Sequence, residues 1–326
     1  MSSKEWAVEL RPTELDKMLG MQVNGKIVQG WIDNDAIPNS VIFYGKSGTG
    51  KTTLSRAIAH LVGAELVELD AASHNGVDDA RQINDLANRL SLTGVHKIFL
   101  IDEAHMLTTA AFNALLKNIE EPNPKCHFFW ATTDYSKLPN TIKGRSRMLK
   151  FYSIPKEELK DYALAVLEYK GYTLKDEVLD IIVSRSYGQV RDMLKLLQTA
   201  CEGNLNTVEA ISKFLAIPDS KGMRTFINAV LTHTGKTGLP ILLGINTDLI
   251  EWVRALQAHI YELLEDKYGV KTIFTGDNIT LRNQIKTVED RFTDKQFGLL
   301  LAALNKIMSP DTAFAELYAL LFKGVD

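Results

Sequence analysis

The chain has 326 residues, of which 45% are hydrophobic and 24% are charged, and its formal net charge is −3. This is the composition of an ordinary soluble globular protein, with enough residues for two or three domains. The small negative charge argues against a nonspecific nucleic-acid binder that relies on phosphate neutralisation, but it leaves room for a local basic stripe within an oligomer.

Cysteine usage and the amino terminus indicate the compartment. Cys126 and Cys201 are the only cysteines, too few for a disulfide framework or a four-thiolate zinc site. The first residues are mixed and polar rather than basic and then apolar, and no apolar run approaches the ~18–20 residues of a membrane span. We therefore expect a cytoplasmic protein with no membrane contact.

Short β-rich segments alternate with helical patterns in the first half of the chain. The segments rich in Val, Ile, Phe and Leu are 39–45, 64–70, 96–102 and 127–132, and helical spacing occupies 50–62, 77–92 and 108–120. Alternation of this kind predicts an α/β fold with a mostly parallel sheet covered on both faces.

The segment GKSGTGKT (45–52) matches the full P-loop pattern and lies between a predicted strand and a predicted helix. Its glycines let the backbone N–H groups turn inward around phosphate, and the helix that follows adds its positive end. The lysine reaches the β- and γ-phosphates, and the threonine after it offers a hydroxyl to Mg²⁺. The predicted ATP-binding residues here are Gly45, Gly48, Thr49, Gly50, Lys51, Thr52 and Thr53.

The segment HKIFLIDEAH (96–105) is an apolar strand that ends in two carboxylates. Asp102, at the end of a parallel strand, is expected beside the P-loop, where it holds Mg²⁺ through water. Glu103 is then the group that orients and activates the attacking water. The DEAH tetrapeptide alone is weak evidence for a helicase.

Two further polar residues have roles that depend on the fold. Thr133 follows the buried strand of HFFWATTD (127–134), where it either bonds the γ-phosphate or the attacking water, or simply ends the strand. Arg191 lies near a helix start in GQVRDML (188–194). Its role depends on whether that helical segment folds over the nucleotide.

After Ile154-Pro155 the chain reads as helical. Predicted helices run from Pro155 to Lys170 and over 175–188, 190–203, 221–233, 238–266 and 293–323, the last broken at Ser309-Pro310, with a loop at 274–284. We predict a nucleotide-binding domain over 1–153, a small helical lid domain over 154–215 and an all-helical collar domain over 216–326.

Together these motifs resemble those of AAA+ P-loop ATPases, and among them the clamp-loader subunits related to bacterial gamma/tau and to replication factor C small subunits. The resemblance covers roughly 5–215. It rests on RPTELDKMLG (11–20), ELDAASHNGVDDAR (68–81), DEAHMLTTAAFNALLKNIEEP (102–122), ATTDYSKLPNTIKGRS (131–146) and YGQVRDML (187–194).

The resemblance implies roles for individual residues. Those that border the adenine are Arg11, Pro12, Met18 and Leu19, and those that act in catalysis are Lys51, Glu103, Thr133 as sensor 1, Arg191 as sensor 2, and Arg145. Arg145, in TIKGRSRMLKF (141–151), is implied to reach the ATP of a neighbouring subunit, whereas Arg147 is interpreted as an ordinary surface residue.

The chain departs from the family pattern in three ways. Gly144 and Ser146, on either side of Arg145, stand where the family's Ser-Arg-Cys motif has serine and cysteine. The four-cysteine zinc module of gamma/tau and the long carboxy-terminal extension of tau are both missing. A compact, zinc-free chain suggests a minimal or phage-encoded system.

The resemblance also implies contact with primer–template DNA, a sliding clamp and other loader subunits, in an oligomer that is pentameric by analogy. Asn75, Gly76 and Val77 open the predicted helix 77–92, and Thr108 and Thr109 open the helix at 108–120. Helix starts expose backbone N–H groups that bind phosphate without net positive charge. Simple helix capping is the alternative for each residue.

The sequence therefore predicts a Mg²⁺-dependent ATPase subunit of a sliding-clamp loader. The alternative is another AAA+ DNA motor, such as a branch-migration helicase or a replication initiator. Those proteins usually carry a winged helix at the carboxy terminus, and the helical pattern here favours a collar. A nonhydrolysing structural subunit is a third reading, which the intact P-loop and acidic pair argue against.

Overall fold

The computed structural model describes residues 4–88, 96–215, 220–232, 234–244, 249, 252–253, 255–257, 260, 294–304, 306–307 and 310–323. The chain divides into two compact units, Met1–Leu205 and Asn206–Asp326, each with its own hydrophobic core. The predicted loop at 274–284 lies outside the described residues.

A five-stranded parallel sheet forms the centre of the first unit, which confirms the predicted α/β fold. Its strands are β1 (Ser40–Tyr44), β2 (Glu65–Asp70), β3 (Lys97–Asp102), β4 (Cys126–Thr132) and β5 (Arg147–Lys150), in the order β2-β3-β4-β1-β5. The helices before and between them are α1 (Trp6–Glu9), α2 (Asn24–Asp33), α3 (Lys51–Leu61), α4 (Val77–Asn88), α5 (Thr109–Glu120) and α6 (Asn140–Lys143). Only residues 62–64 connect α3 to β2, so no zinc module is inserted there.

The three central strands are buried on both faces. In β1, Val41 and Phe43 pack in a cluster with α3, whereas Ile42 packs in a second cluster with α4 and α5. In β3, Phe99 and Ile101 face the α4–α5 side. Burial of each such side chain is worth about 1.5–3 kcal/mol. This two-sided burial explains why the strand signals are continuous apolar runs rather than alternating patterns.

The strand order determines where the predicted site residues meet. Because every strand is parallel, the carboxyl ends of β1, β3 and β4 lie at one edge of the sheet. The P-loop follows β1, the Asp102–Glu103 pair ends β3, and Thr133 follows β4. The fold therefore brings three sequence-distant motifs to one place.

Three helices follow the sheet and hold the amino-terminal segment. They are α7 (Lys156–Lys170), α8 (Asp176–Arg185) and α9 (Val190–Glu202). The buried Trp6 of α1 donates its backbone N–H to Gln198 Oε1 at 2.8 Å. Lys170 Nζ pairs with Glu9 Oε1 at 2.6 Å. The segment that leads to Arg11 is therefore attached to α7 and α9.

The second unit is helical throughout its described part, with helices Val208–Phe214, Ser220–Leu231, Gly235–Leu243, Asp294–Leu304 and Pro310–Lys323. The predicted segment 293–323 is interrupted, because one helix ends at Leu304 and the next begins at Pro310. The single predicted helix 238–266 is wrong, because a helix ends at Leu243 and Gly244 N bonds back to Pro240 O at 3.0 Å. The lid and collar limits stay predictions. No helix in the described residues is long and apolar enough to cross a membrane.

A buried histidine lies at the end of the sheet opposite the P-loop, as the second residue of β4. His127 is 1% exposed, and its Nδ1 lies 3.1 Å from Pro38 O, to which it donates. Its Nε2 lies 2.8 Å from Nδ1 of His96. Burial lowers the pKa of His127 to about 4. The ring is therefore neutral in the folded protein at pH values where an unfolded chain would protonate it.

We expect acid to destabilise the first unit through His127. Between pH 6.5 and about 4 the unfolded chain binds a proton that the folded chain does not, so stability falls as the pH falls through this window. Between pH 6.5 and 4.5 the loss is about 2–3 kcal/mol. Urea unfolding of wild type and His127→Gln at both pH values measures it. The stability advantage of wild type should shrink on acidification. A constant wild-type advantage would contradict this assignment.

Candidate active site

The P-loop between β1 and α3 depends on glycine at two tight points. Gly48 has φ +70°, and a Cβ there would lie 3.2 Å from Gln189 Cβ and 3.4 Å from Arg191 Cβ. A Cβ on Gly45 would clash with Phe151 O. Larger residues would push the loop away from the elements around it. These contacts explain why the pattern needs glycine here.

Lys51 is the first residue of α3 and is 6% exposed. Its Nζ donates to Gly45 O at 2.8 Å and to Lys46 O at 2.9 Å, so the loop carbonyls hold the ammonium group in place. Burial lowers the pKa of Lys51, and the nearby carboxylates of Glu103 and Asp102 oppose this by raising it. The ammonium group of Lys51 thus lies close to two carboxylates, in a position where it could bind a phosphate.

Thr52 and Asp102 form a pair of oxygen ligands beside this lysine. Thr52 Oγ1 donates to Asp102 Oδ2 at 2.8 Å, and Asp102 Oδ1 accepts from Glu103 N at 3.0 Å. A hydroxyl next to a carboxylate is the type of ligand set that Mg²⁺ prefers. The residues predicted from the sequence for Mg²⁺ therefore fit that ion.

Glu103 adopts an unusual backbone conformation, with φ 46° and ψ 43° in the left-handed region. Such a conformation is uncommon for a residue with a side chain and often marks a functional site. Thr133 Oγ1 donates to Glu103 Oε2 at 3.0 Å, and His105 Nδ1 lies 3.3 Å from the same oxygen and 3.0 Å from Thr132 Oγ1. Thr133 thus reaches the site through the glutamate. The contact of His105 with Glu103 was not predicted, although His105 belongs to the DEAH segment.

The start of α9 lies over the P-loop. Gln189 and Arg191 both approach Gly48. In the amide orientation that satisfies its hydrogen bonds, the side-chain nitrogen of Gln189 donates to Ser47 O at 2.7 Å. Arg191 is also close to Lys51. Burial is the main cause that lowers the pKa of Lys51, and the positive charge of Arg191 lowers it further. The helical segment therefore folds over the loop, which is the condition on which the role of Arg191 depended.

One cleft in the first unit gathers most of the predicted nucleotide ligands. Its predicted lining residues are Arg11, Pro12, Met18, Leu19, Gly48, Thr49, Gly50, Lys51, Thr52, Thr53, Asp102, Glu103 and Arg191. The lining residues that the sequence did not single out are Ala7, Leu10, Lys17, Ser47, Tyr162, Val190 and Leu194. Gly45 and Thr133 are not part of this lining, but each contacts a residue that lines the cleft.

Arg145 is placed outside the cleft, between α6 and β5. Its Nη2 pairs with Glu120 Oε1 at 2.7 Å and its Nη1 donates to Thr141 O at 3.1 Å, and the side chain remains 43% exposed. The neighbouring Ser146 is anchored, because its hydroxyl donates to Ile142 O at 2.8 Å. Arg145 is thus held by contacts with Glu120 and Thr141, and it is not among the residues that line the cleft of its own chain.

The predicted DNA-contacting helix starts lie side by side. Thr108 N donates to Asn75 O at 3.1 Å, which links the start of α5 to the start of α4. Thr108 Oγ1 accepts from Ala111 N at 3.2 Å, as in a normal cap, and Thr109 is the first residue of α5. The two helix starts therefore occupy neighbouring positions.

The two helix starts differ in charge. Val77 begins α4, and Gly76 N donates to Asp79 Oδ2 at 3.0 Å, so an acidic side chain already caps this helix. Asp78 adds a second carboxylate in the same turn. The first turn of α5 contains no acidic residue. The α5 start is consequently the better of the two for a phosphate.

Comparison with known proteins gives the family of this site. Residues 41–156 match the ATPase family associated with various cellular activities, AAA. This part of the chain is an AAA ATPase domain. The matched range contains the P-loop and the Asp102–Glu103 pair, and it ends at the first residue of α7. Arg11 and Arg191 lie outside the range, so segments on both sides of the AAA domain complete the cleft.

The chain as a whole is similar to bacterial DNA polymerase III subunits. It is 29% identical to the gamma/tau subunit of Mycoplasma genitalium, over 91% of this chain and 54% of that protein. It is 29% identical to the gamma subunit of Buchnera aphidicola, over 76% and 75%, and 31% identical to the tau subunit of Bacillus subtilis, over 58% and 38%. The predicted resemblance is confirmed. The chain spans about half the length of the Mycoplasma relative.

Solved structures support the fold. The RuvB Holliday junction branch migration motor of Thermotoga maritima has a TM-score of 0.55 with 20% identity, over 68% of this chain and 79% of that one. At this identity the likeness shows a common AAA+ fold and nothing further about activity.

Proposed function

We propose that this chain is the ATPase subunit of a sliding-clamp loader. It would use ATP binding and hydrolysis to open a ring-shaped clamp and place it on primer–template DNA during replication. The observation that carries the proposal is the single cleft that gathers the P-loop, the Asp102–Glu103 pair and Arg191 in a chain similar to polymerase III gamma/tau subunits.

The ATP-binding role follows from the cleft. The P-loop N–H groups and Lys51 would hold the phosphates, and Arg11, Pro12, Met18 and Leu19 would border the base. Thr52 and Asp102 would hold Mg²⁺, which supplies charge neutralisation on the phosphates. Arg191, on the helix that lies over the P-loop, would bind the γ-phosphate within the same chain.

Glu103 would act as the base that orients and activates water. In the structure its carboxylate is held by the Thr133 hydroxyl and lies close to the His105 ring. Release of these contacts would turn the carboxylate towards the nucleotide. Hydrolysis would thus depend on a rearrangement at the end of β4, next to the sensor threonine.

Arg145 would complete the ATP site of a neighbouring subunit. Its guanidinium group lies outside the lining of its own cleft and is half-exposed. Arginine is suited to this work because its planar fork binds phosphate oxygens in two places. The proposal therefore needs an oligomer, pentameric by analogy with the clamp-loader family, in which Arg145 exchanges Glu120 for phosphate.

The neighbouring starts of α4 and α5 would contact the DNA backbone, with Thr108 and Thr109 of α5 as the stronger contacts and Asn75, Gly76 and Val77 as the weaker ones. A few backbone N–H groups bind phosphate without a basic surface. This is compatible with a chain of net charge −3. A cytoplasmic location within the replisome belongs to the same proposal, and phage origin stays a prediction.

The rate of ATP hydrolysis tests the function. We expect primed DNA and the sliding clamp of the same genome to stimulate the assembled complex together far more than either does alone. Stimulation by unprimed or branched DNA without any effect of the clamp would favour a helicase or initiator and would contradict the clamp-loader proposal.

A further inference from the structure

A tyrosine lines the nucleotide cleft without any role in the proposed reaction. Tyr162 lies on α7 and lines the same cleft as Met18 and Leu19. Glu158, four residues earlier on the helix, accepts from Gly20 N at 2.8 Å. Residues four apart share one helix face, so Tyr162 faces the segment that ends at Gly20. This segment borders the base end of the cleft.

The surroundings of Tyr162 leave its hydroxyl available. Within the described residues the hydroxyl has no hydrogen-bond partner, and burial raises the pKa of the phenol, so it is a neutral donor and acceptor at pH 7. Nearby Lys17 is already paired with Glu14 at 2.7 Å. Apart from Arg11 and Lys17, the side chains that residues 7–19 contribute to the cleft lining are apolar, as is Leu194 on α9: Ala7, Leu10, Pro12, Met18, Leu19 and Leu194.

A phenol in an apolar slot can bind one polar atom of a ligand while its ring packs on the flat part. A purine nucleoside offers both, a planar base and several donors and acceptors. The position on α7 has a consequence for movement, because α7 is joined through Lys170 and Glu9 to α1, which leads to Arg11. A ligand bound to Tyr162 would hold both α7 and the segment that leads to Arg11 against the P-loop.

We propose that the Tyr162 hydroxyl binds the nucleoside part of the nucleotide and keeps α7 on it in both the ATP and the ADP states. The proposal rests on the proposed ATP binding. Under this proposal, two side chains on the helices over the cleft bind different parts of the nucleotide. Arg191 responds to the phosphates, whereas Tyr162 responds to the nucleoside whether or not the γ-phosphate is present.

The test uses calorimetric binding of ATP, ADP and inorganic tripolyphosphate to the full chain. Tyr162→Phe keeps the ring and removes the hydroxyl, so we expect the Kd for ATP and for ADP to rise about 2- to 10-fold and the Kd for tripolyphosphate to stay unchanged. Tyr169→Phe is the matched control, because Tyr169 lies on the same helix and is 72% exposed. It should change nothing. Arg191→Ala should weaken ATP and tripolyphosphate.

The outcomes separate this inference from the proposed function. If wild type binds ATP and Tyr162→Phe binds it equally well, or loses tripolyphosphate to the same extent as ATP, the nucleoside contact is wrong and the ATPase proposal stands. If wild type binds no ATP, both are wrong. An unchanged melting temperature of Tyr162→Phe checks that the fold is intact.

Discussion

Arg145→Ala should abolish ATP hydrolysis in the assembled complex while it leaves ATP binding to the isolated chain unchanged. An arginine that stabilises the transition state from a neighbouring subunit is worth about 10³–10⁵ in rate, or roughly 4–7 kcal/mol of barrier. The same residue lies outside the lining of its own cleft, so its loss should not affect the Kd for ATP. Turnover by the complex and calorimetric binding to the single chain measure the two effects.

Arg147 provides a matched control two residues away. It is exposed at the start of β5, and Arg147→Ala should keep nearly full activity. Arg145→Lys keeps the charge but loses the planar fork, so it should remain strongly impaired. Loss of activity in both alanine variants, or in neither, would contradict the assignment of Arg145. A weakened ATP affinity of the isolated Arg145→Ala chain would place the arginine in its own site instead.

Glu103→Gln should bind ATP with the affinity of wild type and lose turnover. The change keeps the shape of the side chain and its hydrogen bond from Thr133, but an amide does not accept a proton from water. Loss of a general base costs about 10²–10⁴ in rate. Single-turnover hydrolysis by the complex measures the chemical step, and equilibrium binding measures the affinity.

Glu121→Gln is the control for this variant, because Glu121 is an exposed carboxylate at the end of α5, away from the lining of the cleft. It should hydrolyse ATP at the wild-type rate. Unchanged hydrolysis by Glu103→Gln would remove Glu103 from the mechanism. A large loss of ATP affinity would show that the carboxylate acts in binding rather than in proton transfer.

The elements predicted from the sequence were those specified by local pattern. The P-loop and the Asp102–Glu103 pair were recognisable because glycines, a lysine and carboxylates follow buried strands at short, regular distances. The central strands were recognisable because burial on both faces leaves unbroken apolar runs. For such features, local residue types and short-range spacing carry enough information.

The elements that were not predicted depend on contacts between distant segments. The short helix α1 is held by the bond from Trp6 to Gln198, and nothing local to its four residues requires a helix. The sequence does not distinguish Tyr162 from other helix residues, because its position in the cleft depends on the contact between α7 and the segment before Gly20. The contact between His105 and Glu103 depends on the turn after β3, which brings the two side chains together. The long helix 238–266 failed because Gly244 caps a shorter one.

The most direct test of the central claim, that the ATP site is completed between subunits, is the ATPase rate of mixed complexes. Arg145→Ala subunits keep a P-loop but lack the arginine, and Lys51→Ala subunits lack the P-loop lysine but keep Arg145. Each variant alone should be inactive. Mixtures should regain part of the wild-type rate at interfaces that pair an intact arginine with an intact P-loop. No recovery at any mixing ratio, in complexes shown to contain both variants, would contradict a shared site.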